Sequence, residues 1–410
     1  MNMSHRLFAR LGILLTLVFL AAPVWSQEVE ETIRIKTRVV FLDALVKDKK
    51  TNLPINNLTT ENFEVLDNGK PRNISYFTRE GQARKPLALV LILDLREDGA
   101  GRFLKRAEII KAMEEELAKL PLGDEVAIMT MNIAEDEERF WVTEFTNERA
   151  KLAAALARVQ AIAEGKENFP DEARQRTVTV TENKTPQVVE TETIKGRKGA
   201  VITRTTMDDG SVNVKRVNKD GDVTIELDDI YDMAAAVKDA TRKASELRPN
   251  SQTSIVWISD GIAPIFFEDR DATEQILIRN NVIFNSLTVE LRTLFKFLMP
   301  VGKPIAGWMG LSLYGSAKYL AQQSGGEAVK VGRPKDYSAG LARIIGNLTA
   351  RYSLGFALAE DETDDGRLHN LEVRVNAKDE KGKKRKLQIS SRQGYYMSST
   401  APKEAAAKAQ

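Results

Sequence analysis

Leu87-Ala88-Leu89-Val90-Leu91-Ile92-Leu93-Asp94-Leu95-Arg96-Glu97-Asp98, residues 87–98, is the stretch that decides the fold. A strand with one wet face alternates apolar and polar residues; an unbroken apolar run is expected where both faces are covered, as in a parallel sheet. Thr253 to Ser259 reads the same way and runs into Asp260-Gly261. Between and around these runs the period changes to that of a helix. Phe103, Ala107, Ile110, Met113, Leu117 and Leu120 share one helical face, and Pro121 and Gly123 end it. Val126 to Met131 is a strand, Arg139 to Phe145 an edge strand, and Asn147 caps a helix carrying Leu152, Leu156, Val159 and Ile162. Further along come a helix through Ile230, Met233, Val237, Ala240 and Leu247, a strand over Asn281 to Val289, and a helix over Leu313 to Gln323. Gly325-Gly326 ends that helix. A short strand at Ala328 to Val331 and a helix through Leu341, Ile344, Ile345 and Leu348 complete the series. Strands alternating with helices at this spacing predict an α/β fold, a doubly wound and mostly parallel sheet.

Outward from that block the rhythm is different. Residues 32–80 carry partly alternating apolar positions and a hairpin signal, Phe63 to Leu66 followed by Asp67-Asn68-Gly69-Lys70, with Ile74, Tyr76 and Phe77 as the expected return strand. Residues 351–397 alternate again, through Tyr352, Leu354, Phe356 and Leu358, then Leu371, Val373 and Val375, then Leu387 and Ile389. Each flank is too short to build a sheet core alone. They are expected to form the two halves of one small β-sandwich-like domain, with the α/β domain, residues 82–350, inserted between them. Within it, residues 164–226 lose the helical period. Val178 to Val180, Val212 to Val214 and Val223 to Ile225, with turns at Asp209-Gly210 and Asp220-Gly221, predict a hairpin arm or floppy loop outside the core. Residues 398–410 are expected to be a disordered tail.

The amino terminus reads as an export signal over residues 1–26. His5, Arg6 and Arg10 precede an apolar run from Leu11 to Ala22, about 12 residues and so short for a bilayer, and small residues precede Gln27. No later stretch reads as a membrane span. The chain holds 60 basic and 58 acidic residues, and the signal carries two of the arginines, so the remainder is formally neutral. That charge balance argues against nucleic acid as a partner. There is no cysteine, and His369 is the one histidine beyond the signal. Cys–His catalysis, disulfide staples and histidine-rich metal sites are thereby excluded, leaving carboxylate chemistry.

Asp94 and Asp260 close the two apolar strands, and in an open α/β sheet ligands sit outside the carboxyl ends of the strands. At this point the chain resembles the von Willebrand factor A domain family. Pro86 to Asp94 is similar to that family's first strand and Ile255 to Gly261 to its fourth. The flanks, with Leu58-Thr59 and Asn62 to Lys70 on one side and Arg392 to Tyr396 on the other, resemble bacterial exported proteins with a related domain. The resemblance implies a metal-ion-dependent adhesion site, built from Asp-x-Ser-x-Ser after the first strand, a threonine from a second loop and an aspartate after the fourth strand. This chain keeps Asp94 and Asp260 but has Arg96 and Asp98 at the serine positions. The register of Ile230-Tyr231-Asp232 sets Asp228 at the threonine position.

The expected binding residues are therefore Asp94, Arg96, Asp98, Asp228 and Asp260, the four aspartates being the candidate metal ligands. The implied metal site is degenerate. Converging carboxylates need a positive charge among them. A guanidinium keeps its charge at all relevant pH, so Arg96 turned inward is expected to take the place of a cation, with no cofactor or only weakly bound Ca2+ or Mg2+. The resemblance implies a non-enzymatic function in protein–protein binding, adhesion or assembly, secreted or in the periplasm or cell envelope, with an unidentified protein partner. The alternatives are a structural module with an inert site and a metal-dependent hydrolase using the aspartates.

Overall fold

The computed structural model describes residues 38–397 apart from 80–84, 97–100, 133–137, 168–186, 196–198, 208–211, 218, 222, 229–232, 260, 290–309, 334–335, 360, 363–364 and 379–381. The chain opens with β1 (Val39–Asp48), β2 (Phe63–Asp67), β3 (Lys70–Arg72) and β4 (Tyr76–Thr78). Asp67 pairs with Lys70, so the β2–β3 turn is the two residues Asn68-Gly69, with φ of 49° and 80°. Both central residues of a type I′ turn need positive φ, which asparagine and glycine tolerate best. This turn sets the return strand at once, at Lys70–Arg72, four residues earlier than the apolar pattern suggests. Tyr76–Thr78 departs to another sheet, where the Phe77 ring stacks on Tyr352 at 5.8 Å.

The α/β region follows with β5 (Leu87–Asp94), a single turn at Gly101–Leu104, α1 (Ala107–Ala118), β6 (Glu125–Asn132), β7 (Glu138–Thr146) and α2 (Arg149–Ala163). Next come β8 (Val188–Lys195), β9 (Val201–Met207), β10 (Val212–Val217) and β11 (Val223–Asp228), then α3 (Met233–Leu247), β12 (Gln252–Ser259), β13 (Ile262–Phe266) and α4 (Phe267–Arg279). The region closes with β14 (Ile283–Val289), β15 (Leu311–Tyr314), α5 (Ser316–Ser324), β16 (Ala328–Val331) and α6 (Asp336–Thr349).

Its main sheet has the order β16-β14-β12-β5-β6-β7. All neighbours are parallel except β7, which runs antiparallel at the edge. Every residue of β5 is buried because the pleat sends alternate side chains into two cores. Leu87, Leu89, Leu91 and Leu93 pack with α1, α2 and α6, while Ala88, Val90 and Ile92 pack with α3, α4 and α5. The chain is thus a doubly wound, mostly parallel α/β fold. The region also contains a small β13–β15 ladder that the helical pattern concealed. Gly315, at φ 93°, separates β15 from α5, so the helix starts at Ser316 and not at Leu313.

The segment with lost period forms an antiparallel sheet in the order β11-β10-β9-β8; of its expected strands, Val178 to Val180 lies outside the described residues. Ala200 and Ile202 are buried, and ion pairs tie the sheet to α3 and α4, Glu192 to Lys238 at 3.1 Å and Arg216 to Glu268 at 3.3 Å, while Lys238 also joins α3 to Asp269 of α4 at 2.8 Å.

β17 (Tyr352–Ala357), β18 (Leu368–Val375), β19 (Leu387–Ser390) and β20 (Gly394–Tyr396) end the described chain. They share two four-stranded sheets with the opening strands, β19-β1-β17-β4 and β20-β18-β2-β3. Val40 faces Phe356 and Val65 faces Val373 across the ladders, and Phe63, Leu354 and Tyr395 are buried in the same core. A buried ion pair of Lys47 on β1 with Glu327 ahead of β16 links this β region to the α/β region, and Asn347 on α6 also donates to Glu327. Burial opposes the charged form of Glu327, but the Lys47 hydrogen bond and charge, with Asn347 and Arg343, outweigh it and hold the carboxyl below its ordinary range.

Candidate functional site

The strand order places a topological switch point between β5 and β12. From β5 the chain winds through β6 and β7 in one direction, and from β12 through β14 and β16 in the other. Counted within the domain, this is the 3-2-1-4-5-6 order whose crevice opens at the carboxyl ends of the two middle strands. Asp94 ends β5 and Ser259 ends β12, so both side chains meet at that point.

Asp94 is fully buried, and Arg96 is only 3 % exposed. Arg96 Nε donates to Asp94 Oδ1 at 3.1 Å and lies 3.2 Å from Oδ2, while Nη2 donates to Oδ2 at 2.7 Å. This is the fork geometry by which a guanidinium satisfies both oxygens of a carboxylate. Ser259 Oγ donates to Asp94 Oδ2 at 2.6 Å, and the Arg96 backbone N–H donates to Oδ1 at 3.2 Å. The Gly261 N–H in turn donates to Ser259 Oγ at 3.3 Å. Gly261 sits at φ 83°, a conformation that accounts for glycine after the strand.

Two backbone features turn Arg96 inward. The Leu95 N–H donates to the Met131 carbonyl of β6, which holds the residue after Asp94 against the sheet. The Gly101 N–H donates to the Arg96 carbonyl, and a Cβ on Gly101 would lie 2.1 Å from the Leu95 oxygen. Gly101 therefore lies close against Leu95 and Arg96, and only a glycine allows the approach.

Of the five residues singled out in the sequence, the structure brings Asp94 and Arg96 together. Asp98 and Asp260 lie outside the described residues. Asp228 ends β11 opposite Asn213, and its side chain also lies outside the description. Ser259 is the partner that sequence reasoning passed over. Its signal was a hydroxyl at the last position of a buried strand, where an apolar residue would serve packing better.

The described side chains do not fit a divalent cation at Asp94. A hard cation needs several oxygen ligands with free lone pairs. Both oxygens of Asp94 already accept hydrogen bonds, and a guanidinium stands in contact with them. Among the described residues, no group of three or more histidine, aspartate and glutamate side chains is placed to hold a metal ion. A sealed carboxylate of this kind also has no oxygen to offer a substrate.

No family model and no curated protein matches the chain. Among solved structures, the BatB protein of Bacteroides thetaiotaomicron is 10% identical, over 64% of this chain and 98% of its own, with a TM-score of 0.34. A von Willebrand factor type A protein of Catenulispora acidiphila is 9% identical over 80% and 72%, at 0.36. The manganese-loaded TRAP protein of Plasmodium vivax is 9% identical over 81% and 96%, at 0.32. Likeness at these scores is loose, and the fold assignment rests on this chain's own strand pairing. Its 3-2-1-4-5-6 sheet, wound on both faces, gives the central region a doubly wound α/β fold of the Rossmann type.

Proposed function

We propose that this is an exported, non-enzymatic binding protein whose α/β domain meets a protein partner at the carboxyl edge of its sheet without a divalent cation. The observation that carries the reading is the Arg96 guanidinium seated on both oxygens of Asp94. The positive charge that such a crevice needs is supplied by the chain itself, so the edge is assembled without metal. The amino-terminal pattern supports export, and with it a location in the periplasm, the cell envelope or outside the cell.

Calorimetric titration of the purified full chain with calcium and magnesium tests the cation-independent part. Silent titrations are expected; micromolar binding that disappears in Asp94→Ala overturns it. Capture of partners from the native secretome, with and without a chelator, tests the binding part. A partner retained equally in both is expected, and one released by the chelator contradicts the reading. The complete burial of Asp94 favours a second reading, a structural module with an inert crevice. In that case no partner is captured in either buffer.

A further inference from the structure

At the opposite, amino edge of the same sheet lies a cavity of about 350 Å³. It opens where Lys85 leads into β5 and Ser251 into β12, and it is closed by β1, by the ends of α3 and α4, and by the chain around β20. Among the described residues, its lining includes five cationic side chains, Arg38, Lys85, Arg248, Arg279 and Arg392, and no acidic one. In a formally near-neutral chain this is a local charge excess inside a concave, partly enclosed space.

These cations already hold a mixture of protein contacts. Arg248 is matched by Glu125, through Nη2 at 2.9 Å. Arg38 donates to the backbone carbonyls of Ala359 and Glu362. Arg279 lies over the Tyr396 ring, 4.1 Å from its centroid, and Lys85 over the Phe41 ring at 4.7 Å. Arg392 is 8 % exposed and donates to the carbonyls of Ile278 and Phe41, while its Nε has no hydrogen-bond partner among the described residues. Ser245 Oγ, also in the lining, is buried and unpartnered in the same sense. Carbonyls and rings orient a guanidinium but do not neutralise it. Burial draws the Arg392 pKa down to about 10, outweighing the Asp43 and Tyr395 charges that oppose the fall. A small oxyanion would supply further negative charge to this cationic lining and the acceptors for Arg392 Nε and Ser245 Oγ. The volume lies in the range of small-molecule sites, and guanidinium forks match carboxylate and phosphate geometry.

We propose that this cavity binds a small organic oxyanion, a phosphate ester or a di- or tricarboxylate, gripped by Arg279 and Lys85 from the α/β region and by Arg38 and Arg392 from the β region. The site is separate from the Asp94 crevice and does not depend on the function proposed for it. Because the cations come from both regions, the ligand bridges them and raises the thermal midpoint of the chain.

The test is calorimetric and thermal-shift titration of the full chain with inorganic phosphate, pyrophosphate and citrate at constant ionic strength. Saturable one-site binding of at least one of the three is expected, with an accompanying rise in midpoint. Pyrophosphate ahead of citrate assigns the phosphate class, and the reverse order the carboxylate class. Lys85 and Arg279 are exposed, so the double variant Lys85→Gln/Arg279→Gln should keep the ligand-free midpoint. Its affinity should fall by about tenfold or more, the loss expected for removing a charge-assisted hydrogen bond. Arg392→Lys, which keeps the charge but not the fork, should weaken binding as well. No saturable binding of any probe, or unchanged affinity in the double variant, overturns the proposal.

Discussion

Replacing Arg96 by alanine tests the central claim about the crevice. In the wild type Asp94 is fully buried and receives two guanidinium hydrogen bonds, a serine hydroxyl and a backbone N–H. The alanine variant keeps the last two but removes the only charge seen at contact distance among the described residues. Removing one partner of a buried ion pair costs about 3–5 kcal/mol, because the remaining charge is stranded in a medium of low polarity. Two charge-assisted hydrogen bonds at about 1.5–3 kcal/mol each give the same scale. Arg96→Lys keeps the charge without the fork and should fall between. The double variant Asp94→Leu/Arg96→Met removes both charges and should recover most of the loss. Equilibrium urea unfolding followed by fluorescence is a suitable assay, since Trp257 is fully buried on the neighbouring strand β12. A loss below about 1 kcal/mol in Arg96→Ala, the range of a surface ion pair, would refute the reasoning. It would mean that another cation balances Asp94.

Other outcomes follow from the same contacts. Glu327 has a lowered pKa, so its ion pair contributes stability above its ordinary value of 4.5, and that contribution disappears as pH falls through the lower folded-state value. The stability gap between wild type and Glu327→Gln, measured by urea unfolding, should therefore narrow below pH 4.5; a gap constant down to strong acid contradicts this. Gly326→Ala would set a Cβ 2.0 Å from the Phe284 carbonyl oxygen, and a loss of about 1–3 kcal/mol is expected in thermal unfolding. Arg216→Ala leaves the buried Glu268 without its ion-pair partner. It should cost about 1–3 kcal/mol and speed proteolytic cutting in the β8–β11 sheet, whereas an unchanged digestion pattern would show that the sheet is held by other contacts.

What a short window of sequence determines here is period and punctuation. The run from Leu87 to Leu93 is apolar throughout because β5 is covered on both faces, and that single fact points to a parallel sheet with helices on either side. Asn68-Gly69 encodes its own turn, since both φ values are positive and few other pairs accept them. The place of Asp94 at the end of β5 was legible, and strand ends at a switch point form a crevice. Tertiary structure decided the rest. Whether Arg96 faces solvent or Asp94 depends on where the chain goes after Leu95, and that is set by the Met131 carbonyl of another strand and by the close approach of Gly101. The period of Ile74 to Phe77 does not reveal that the two-residue turn spends its pairing on Lys70–Arg72 and sends Tyr76 to a different sheet. Lys47 and Glu327 stand 280 positions apart, and Arg38 and Arg392 further still. Their charges read locally as solvated surface. Only closure of the chain buries them, because the environment of a charge is fixed by the segments packed around it and not by its neighbours in sequence.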